Sequence, residues 1–369
     1  MRASEYHKIG ERRHGTGISV PGIVRVRQTS IANATRIEMN HGSRWLRRIA
    51  RSLGLAIAIL ALTETAAHAD DYPSKPIRLI VPFSPGGSTD ILARILAPEL
   101  GKALHQSVIV EAKAGAASII GTQMVAHAPA DGYTLLLTNV AFAINPALRG
   151  KDLSYDLKDF APVTLLASQP TVLVTNSALS ASSLQSLIAL AKKEPGQLNF
   201  ATAGVGSVGH MAGAMFEAET GVKMTHVPYQ GGGTADVGLV SGDVMLGFLG
   251  APPLMTYEKA GKVKFLALTD GRRSAALPGV PTLAELGLKG FSVDNWIGML
   301  APAGTPATVV SRLFAEVSKI MKEPEIAKRL VGVGFEPWIS ESPHDYQRFL
   351  ENDIAKYRKA AQSVNVNIK

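Results

Sequence analysis

The feature that most constrains the fold is an alternation of short apolar runs with segments of helical period. Between Ile77 and Leu268 each apolar run is followed by a stretch whose apolar side chains recur at helical spacing. This alternation is typical of α/β folds, in which helices cover mainly parallel sheets. The predicted strands are Ile77–Val81, Val108–Val110, Leu135–Leu137, Thr171–Thr175, Leu198–Ala201, Met224–Val227, Val244–Phe248 and Val263–Leu268.

The C-terminal part of the chain changes character. It predicts three consecutive helices, Pro306–Met321, Pro324–Val331 and Pro343–Ser363. The 369 residues suffice for two lobes with cores of their own, but no repeat or low-complexity linker separates two halves. We therefore predict interleaved lobes, with the chain crossing between them twice: residues 70–173 with 296–369 form the first lobe, and residues 174–295 form the second.

The N-terminal region has the anatomy of a secretory signal. Arginines between Arg44 and Arg51 precede an apolar run, Leu53–Leu62, and Ala67-His68-Ala69 offers a small-x-small cleavage site. The run is too short to span a bilayer, which takes about 20 residues. The pattern predicts a signal peptide over residues 39–69, cleaved near Ala69-Asp70, and a periplasmic protein.

The segment before the signal, Met1–Glu38, is polar and Arg-rich and has no helical or strand period. Because a signal peptide should begin near its own start, we predict that translation begins at Met39 and that residues 1–38 are a mis-assigned start.

The net charge of +8 belongs to the leader. Residues 1–69 hold eleven Lys and Arg against four Asp and Glu, and the remaining residues hold 27 against 26. The mature chain therefore gives no electrostatic reason to expect nucleic-acid binding. The sequence contains no Cys, which excludes disulfides, thiol catalysis, cysteine metal sites and a lipoprotein anchor.

Two glycine-rich loops each connect a predicted strand to a predicted helix. They are Pro82–Asp90 and Thr202–His210. Glycine lets the backbone approach a ligand, and a helix N-terminus directs free N–H groups and partial positive charge towards it. Neither loop contains Lys or Arg. The two loops together therefore predict an anion-binding site in which backbone groups from both loops contact one anion. A third junction, Val227–Thr234, adds Tyr229 and Gly231 as polar and backbone groups that orient a ligand.

Motifs for catalysis and cofactors are weak or absent. Gly204–Gly209 matches the dinucleotide pattern G-x-G-x-x-G, but the following strand carries no acidic residue for a ribose. Val205 stands where a nucleophile elbow around Ser207 needs glycine. His210 has no nearby His or carboxylate at metal-ligand spacing. We therefore predict no catalytic residue, no metal site and no cofactor.

Several motifs together resemble the Bug receptors, the solute-binding proteins of tripartite tricarboxylate transporters. The resemblance covers about residues 72–365. Its motifs are Tyr72-Pro73-x-x-Pro76-Ile77-Arg78, Val81-Pro82-Phe83-x-Pro85-Gly86-Gly87-x-x-Asp90, Ile144-Asn145-Pro146-Ala147-Leu148, Thr202-Ala203-Gly204-x-Gly206-Ser207-x-x-His210, Val227-Pro228-Tyr229-x-Gly231, Pro278-Gly279-Val280-Pro281-Thr282-x-x-Glu285, and Trp296-x-Gly298-x-x-Ala301-Pro302-Ala303-Gly304-Thr305-Pro306.

The resemblance implies a type II periplasmic-binding-protein fold with the ligand in the cleft between two lobes. It implies a monomeric receptor that captures a small carboxylate, such as a dicarboxylate, aromatic acid or amino acid, for integral membrane transporter subunits. The ligand-binding residues expected from the motifs and loops are Phe83, Gly86, Gly87, Ser88, Thr89, Asp90, Thr138, Asn139, Phe142, Ala143, Gly204, Gly206, Ser207, His210, Tyr229 and Gly231.

Two alternatives stay open at this stage: an exported hydrolase or lyase that uses the same cleft, and an adaptor that presents solute to a membrane sensor. The chain also departs from the family pattern, with Gly238 and Met245 where acidic residues are common and with the aromatic Phe142 after the strand that ends near Asn139. These departures favour a solute with an apolar or aromatic body over a small, highly charged one such as citrate.

Overall fold

The structure is a computed structural model that describes residues 72–363. The predicted leader, translation start and cleavage site lie outside the described residues. Two sheets organise the described chain, one of six strands and one of five. Within residues 72–363 no helix combines the length and apolar character needed to cross a membrane.

The first sheet has a parallel half and an antiparallel half. Its strand order is β11-β4-β10-β3-β1-β2, and β2, β1 and β3 run parallel while β10, β4 and β11 join by antiparallel pairing. The strands are β1 (Ile77–Val81), β2 (Val108–Ala112), β3 (Thr134–Asn139), β4 (Phe160–Ser168), β10 (Trp296–Pro302) and β11 (Glu336–Pro337).

The second sheet repeats this arrangement with five strands. Its order is β7-β6-β8-β5-β9, with β7, β6 and β8 parallel and β5 and β9 antiparallel to their neighbours. The strands are β5 (Thr171–Asn176), β6 (Asn199–Thr202), β7 (Thr225–Pro228), β8 (Leu246–Gly250) and β9 (Val263–Leu268).

Ten α-helices are present in the described part of the chain. The first lobe carries α1 (Ser88–Leu104), α2 (Ile119–Ala126), α3 (Ala141–Arg149), α8 (Ala307–Lys322), α9 (Pro324–Gly332) and α10 (Pro343–Ser363). The second lobe carries α4 (Leu184–Lys193), α5 (Val208–Thr220), α6 (Gly232–Ser241) and α7 (Ala251–Lys259). The three predicted C-terminal helices are confirmed.

Both faces of the first sheet are buried, which explains why its strands read as continuous apolar runs. Leu135 and Leu137 face one hydrophobic cluster with α1 and α8, while Leu136 between them faces another that also contains Phe200 of the second lobe. Successive side chains on a strand point to opposite faces. A short apolar run can therefore serve two cores at once.

The two-lobed α/β fold is confirmed, but the sheets are mixed rather than mainly parallel. The chain passes from the first sheet to the second between Ser168 and Thr171, and returns between Leu268 and Trp296. The strands on either side of each crossing, β4 with β5 and β9 with β10, pair antiparallel with their neighbours, which makes both sheets mixed. The predicted lobe boundary after residue 173 falls within β5, and the one after residue 295 falls directly before β10.

Candidate functional site

The loop between β1 and α1 is shaped by a buried carboxylate. Asp90 Oδ2 accepts hydrogen bonds from the backbone N–H of Gly86 at 2.9 Å and from Arg94 Nε at 2.8 Å. Gly86 has a φ of +80°, a left-handed conformation that glycine adopts without strain. The Asp90 carboxylate therefore binds its own loop, and this hydrogen bonding holds Gly87 and Ser88 in place beside the cleft.

The loop between β6 and α5 is held by a helix cap and a histidine. Ser207 Oγ accepts the backbone N–H of His210 at 3.3 Å, which caps α5. His210 Nδ1 accepts the N–H of Gly206 at 3.1 Å. Gly204 and Gly206 have φ values of 122° and 93°, so the loop takes a path that other residues would strain.

The ring of His210 lies inside the lobe and stacks on a second histidine. Its centroid is 4.1 Å from that of His226, with 9° between the planes, and His226 Nε2 lies 2.6 Å from Thr202 Oγ1. Burial lowers the pKa of His210 to about 4, and burial together with the neighbouring His210 lowers the pKa of His226 to about 3. Both rings are neutral at neutral pH and support the loop.

The junction between β3 and α3 contributes one side chain to the cleft and directs another into the core. Asn139 Oδ1 accepts the backbone N–H of Ala141 at 3.0 Å. Phe142 is fully buried and stacks on Tyr155, with ring centroids 5.6 Å apart, and its edge meets Phe160. The first turn of α3 thus carries Phe142 away from the cleft, so the structure does not place it where it could stack on a solute.

Backbone-to-backbone contact closes the cleft between the lobes. A Cβ added to Gly233 of α6 would meet the carbonyl oxygen of Pro85, and one added to Gly231 would meet the hydroxyl of Ser84. A Cβ on Gly87 would lie 3.2 Å from the nitrogen of Gly233. The first and third glycine junctions therefore touch each other across the cleft and leave no room for side chains.

A cavity of about 40 Å³ remains between the lobes. Solute pockets are usually about 300–1,000 Å³, so the lobes must separate to admit a solute. The lining comes from both lobes and both crossovers: Phe83, Gly87, Ser88, Thr89, Asn139, Gln169, Ala203, Val208, Gly209, Gly232, Phe248, Leu249, Gly250 and Asn295.

Five of the predicted site residues line this cavity: Phe83, Gly87, Ser88, Thr89 and Asn139. The others lie outside its lining: Gly86, Asp90, Thr138, Phe142, Ala143, Gly204, Gly206, Ser207, His210, Tyr229 and Gly231. Many of these support the loops, as Asp90, Ser207 and His210 do. The residues that the sequence analysis missed are Gln169, Ala203, Val208, Gly209, Gly232, Phe248, Leu249, Gly250 and Asn295.

One of these omissions had a signal in the sequence. Phe248-Leu249-Gly250 precedes Pro252 and Pro253, so a strand end, a glycine and helix-opening prolines follow in order. Because β8 runs parallel to β6, its carboxyl end lies at the same edge of the sheet. Gln169 and Asn295 had no local signal.

The cavity is surrounded by helix N-termini and contains no charged side chain. Helices α1, α3, α5, α6 and α7 all begin within two residues of a lining residue. Gln169 Oε1 and Asn295 Oδ1 are buried and have no hydrogen-bond partner among residues 72–363. The partial positive charge of the helix ends therefore faces a small space that is also lined by two residues with unpaired acceptor oxygens.

The departures at Gly238 and Met245 lie outside the cavity lining. A Cβ on Gly238 would meet the hydroxyl of Tyr229, and Met245 donates its backbone N–H to Asn199 Oδ1 at 3.1 Å. Their placement gives no support to the inference drawn from them about the solute's charge. Within residues 72–363 there is also no group of three or more His, Asp or Glu placed to hold a metal.

Residues 92–366 match the family described as tripartite tricarboxylate transporter family receptor. The chain belongs to this family. The protein BugT of Bordetella pertussis is 34% identical over 87% of this chain and 99% of its own. An R. palustris protein solved with adipate is 33% identical, with a TM-score of 0.76 over 79% of this chain and 98% of its own. MatC of Rhodopseudomonas palustris, solved with bound malate, is 30% identical, with a TM-score of 0.74 over 78% and 99%.

The predicted resemblance to the Bug receptors is thus confirmed. The chain is an extracytoplasmic solute-binding receptor and not an enzyme. This family assignment excludes the exported hydrolase or lyase.

Proposed function

We propose that the receptor captures a small carboxylate-bearing solute between its lobes, in the cleft that closes over the cavity. The observation that carries this proposal is the convergence of five helix N-termini on a space with no charged side chain. A carboxylate placed there would accept hydrogen bonds from free backbone N–H groups and would be stabilised by the helix dipoles. Lysine or arginine is not needed for this kind of binding.

The solved relatives support a carboxylate with a short carbon body. One was solved with adipate and another with malate, and each covers about four-fifths of this chain. For this chain we propose a dicarboxylate, an aromatic acid or an amino acid. Phe83 and Phe248 line the cavity and offer apolar surface to the body of the solute.

We further propose that the solute is delivered to integral membrane subunits of a tripartite tricarboxylate-type transporter. In this proposal the receptor works in the periplasm as a monomer, after removal of the predicted signal peptide. Presentation of the solute to a membrane sensor would use the same cleft and the same closure.

The proposal is tested by calorimetric titration of the purified receptor with adipate, malate, an aromatic acid and an amino acid. The matched neutral compound for adipate is its diamide. Saturable binding of at least one acid, with no binding of the diamide at the same concentrations, is the expected result. If none of the acids binds, or if adipate and its diamide bind equally, recognition of a carboxylate is refuted.

A pair of variants then locates the binding. Thr89 is 3% exposed and lines the cavity, and Thr89→Val removes its hydroxyl at nearly constant volume. A lost hydrogen bond to a charged group costs about 1.5–3 kcal/mol, which corresponds to about ten- to a hundredfold in affinity. Thr308→Val, on the exposed face of α8, is the matched control and should bind as the parent does. Equal affinity of the two variants would show that the Thr89 hydroxyl does not bind the carboxylate.

A further inference from the structure

A second, larger cavity lies on the other side of the crossover strands from the cleft. It has a volume of about 880 Å³ and is lined by Ser168 and Pro170 of the first crossover. Gln169, between them, lines the cleft cavity instead. Successive residues of an extended segment point to opposite sides, so the crossover separates the two cavities, and Asn295 of the second crossover touches both.

Aromatic rings form one wall of this second cavity, which we call the hinge cavity. Trp296, Trp338 and Phe349 all line it. The ring of Phe349 lies 5.7 Å from that of Trp296 and 5.2 Å from that of Trp338, in both cases edge to face. Trp338 is 37% exposed and Phe349 is partly buried, whereas Trp296 is fully buried. Trp338 and Phe349 therefore offer apolar and π surface to a ligand body.

Carboxylates lie beside the aromatic wall, and two of them have no ion-pair partner among the described residues. Lys356 pairs with Asp294 at 3.1 Å. Asp353 Oδ2 accepts Trp296 Nε1–H at 2.7 Å, and Asp270 Oδ2 accepts the backbone N–H of Thr171 at 3.1 Å. Asp270 and Asp353 therefore satisfy hydrogen bonds but form no ion pair among the described residues, although the charge of Lys356 acts on Asp353 from a distance.

The basic side chains that line the cavity are already engaged. Arg272 lies 3.8 Å from Glu336, whose other oxygen accepts hydrogen bonds from Ser274 Oγ and the Ala275 N–H. Arg273 forms an ion pair with Glu285 at 2.9 Å. Two carboxylates thus remain for an incoming cation.

We propose that the hinge cavity is a second binding site, for an organic cation that carries an amine on an aromatic or aliphatic body. The ammonium group would lie between Asp270 and Asp353, and the apolar body would lie against Trp338 and Phe349, where cation–π attraction adds to burial. Because both crossovers and both lobes line the cavity, a bound cation would also contact the segments about which the lobes move.

The electrostatics of the free site agree with this placement. Burial and the neighbouring Asp294 raise the pKa of Asp270 well above its usual range, and burial raises the pKa of Asp353. The hydrogen bond from Trp296 and, more weakly, the charge of Lys356 lower the pKa of Asp353 only in part. A cation binds the ionised carboxylates, so its affinity should increase as pH rises through these raised values.

The test uses tryptophan fluorescence, with 2-phenylethylamine as the probe. The sequence has three tryptophans, and two line this cavity. The third, Trp45, belongs to the predicted signal peptide, so in the processed receptor, or in an uncleaved chain carrying Trp45→Phe, the signal comes from Trp296 and Trp338 alone. We expect a saturable change with the amine and none with the neutral 2-phenylethanol. An equal response to the alcohol would overturn the proposal, because charge would not be recognised.

Matched variants locate the amine. Asp270→Asn and Asp353→Asn each keep an oxygen for the existing N–H donor and remove the charge, so each should weaken amine binding about tenfold or more. Asp152→Asn, at an exposed position, is the control. Trp338→Ala, at a partly exposed position, tests the aromatic wall if either aspartate variant fails to fold.

Unchanged amine affinity in the folded aspartate variants and in Trp338→Ala would overturn the proposal. So would competitive displacement of the amine by a carboxylate that occupies the cleft, because the amine would then be in the cleft itself. Failure of every carboxylate to bind, with amine binding intact, would refute the proposed function and leave this site standing.

Discussion

Substitution of Gly233 by alanine should weaken solute binding without touching the solute. Gly233 lies outside the cavity lining, in the first turn of α6. The added Cβ would meet the carbonyl oxygen of Pro85 and lie 3.0 Å from the nitrogen of Gly87. Neither backbone atom can rotate away, so the contact is relieved only when the two lobes separate.

The size of this effect follows from the cost of overpacking, about 1–3 kcal/mol. If the closed form is the one that holds the solute, this cost appears as a loss of about 5- to 150-fold in affinity. The free receptor should not be destabilised, because alanine in a helix is about 0.5–1 kcal/mol more favourable than glycine. The variant should therefore lose affinity while its melting temperature is kept.

Calorimetric titration with the tightest-binding acid measures the loss, and small-angle scattering measures closure. The parent should have a smaller radius of gyration at saturation, and Gly233→Ala should contract less. Gly332→Ala is the control, because that position lies in α9 and an added Cβ has no atom within 4 Å. If Gly233→Ala binds and contracts as the parent does, the glycine contact is not part of the solute-bound state.

Three further predictions concern stability. Ser207→Ala removes the acceptor for the His210 N–H and should lower the free energy of unfolding by about 1 kcal/mol in urea titrations; an unchanged midpoint would contradict the cap. Asp236 is 5% exposed, neither of its oxygens has a hydrogen-bond partner among the described residues and burial raises its pKa, so Asp236→Leu, which keeps the branch at Cγ and removes the charge, should stabilise the fold by about 1–3 kcal/mol. The ionised form is the disfavoured one, so this gain should be larger at neutral pH than near pH ~4, and a gain that does not depend on pH would count against it. Because His210 and His226 bind protons more weakly in the fold than in the unfolded chain, their contribution to stability should be lost as pH falls from 6.5 towards about 4. His226→Gln should flatten that part of a melting-temperature profile, and an unchanged slope would show that the pair does not contribute.

The sequence predicts best those elements whose environment follows from their own residues. Strand β9 begins and ends where the apolar run Val263–Leu268 does, and α10 matches Pro343–Ser363. Two long strands of the first sheet were not predicted. Strand β4 contains Pro162, and β10 contains Gly298, residues that argue against a strand.

The reason for these omissions is tertiary. Strand β10 lies between β3 and β4 in the middle of the sheet, and all its residues are buried. A Cβ on Gly298 would meet the hydroxyl of Tyr346 from α10. This position therefore needs glycine because Tyr346, which lies 48 positions later in the sequence, fills the space that a side chain would occupy. No local sequence pattern reveals such a contact.

The residues of the candidate site also fall into a predictable and an unpredictable group. The glycine loops were predictable because strand, glycine and helix start follow one another in the sequence. Gln169 and Asn295 face the cavity because they lie where the chain crosses between lobes, and only the packed fold shows this. Phe142 follows Asn139 by three residues, yet helix geometry turns it into the core.

Because main-chain atoms line much of the cleft, the affinity for a carboxylate and the selectivity among acids depend on different groups. If backbone N–H groups bind the carboxylate, substitutions other than proline cannot delete those donors, and an alanine scan would overlook them. Choice among acids would then rest on a few side chains, such as Phe83, Asn139, Gln169 and Phe248. Substitution of those side chains would then change the selectivity of the receptor, while the backbone donors would continue to bind the carboxylate. Such a receptor is a suitable starting scaffold for carboxylate sensors.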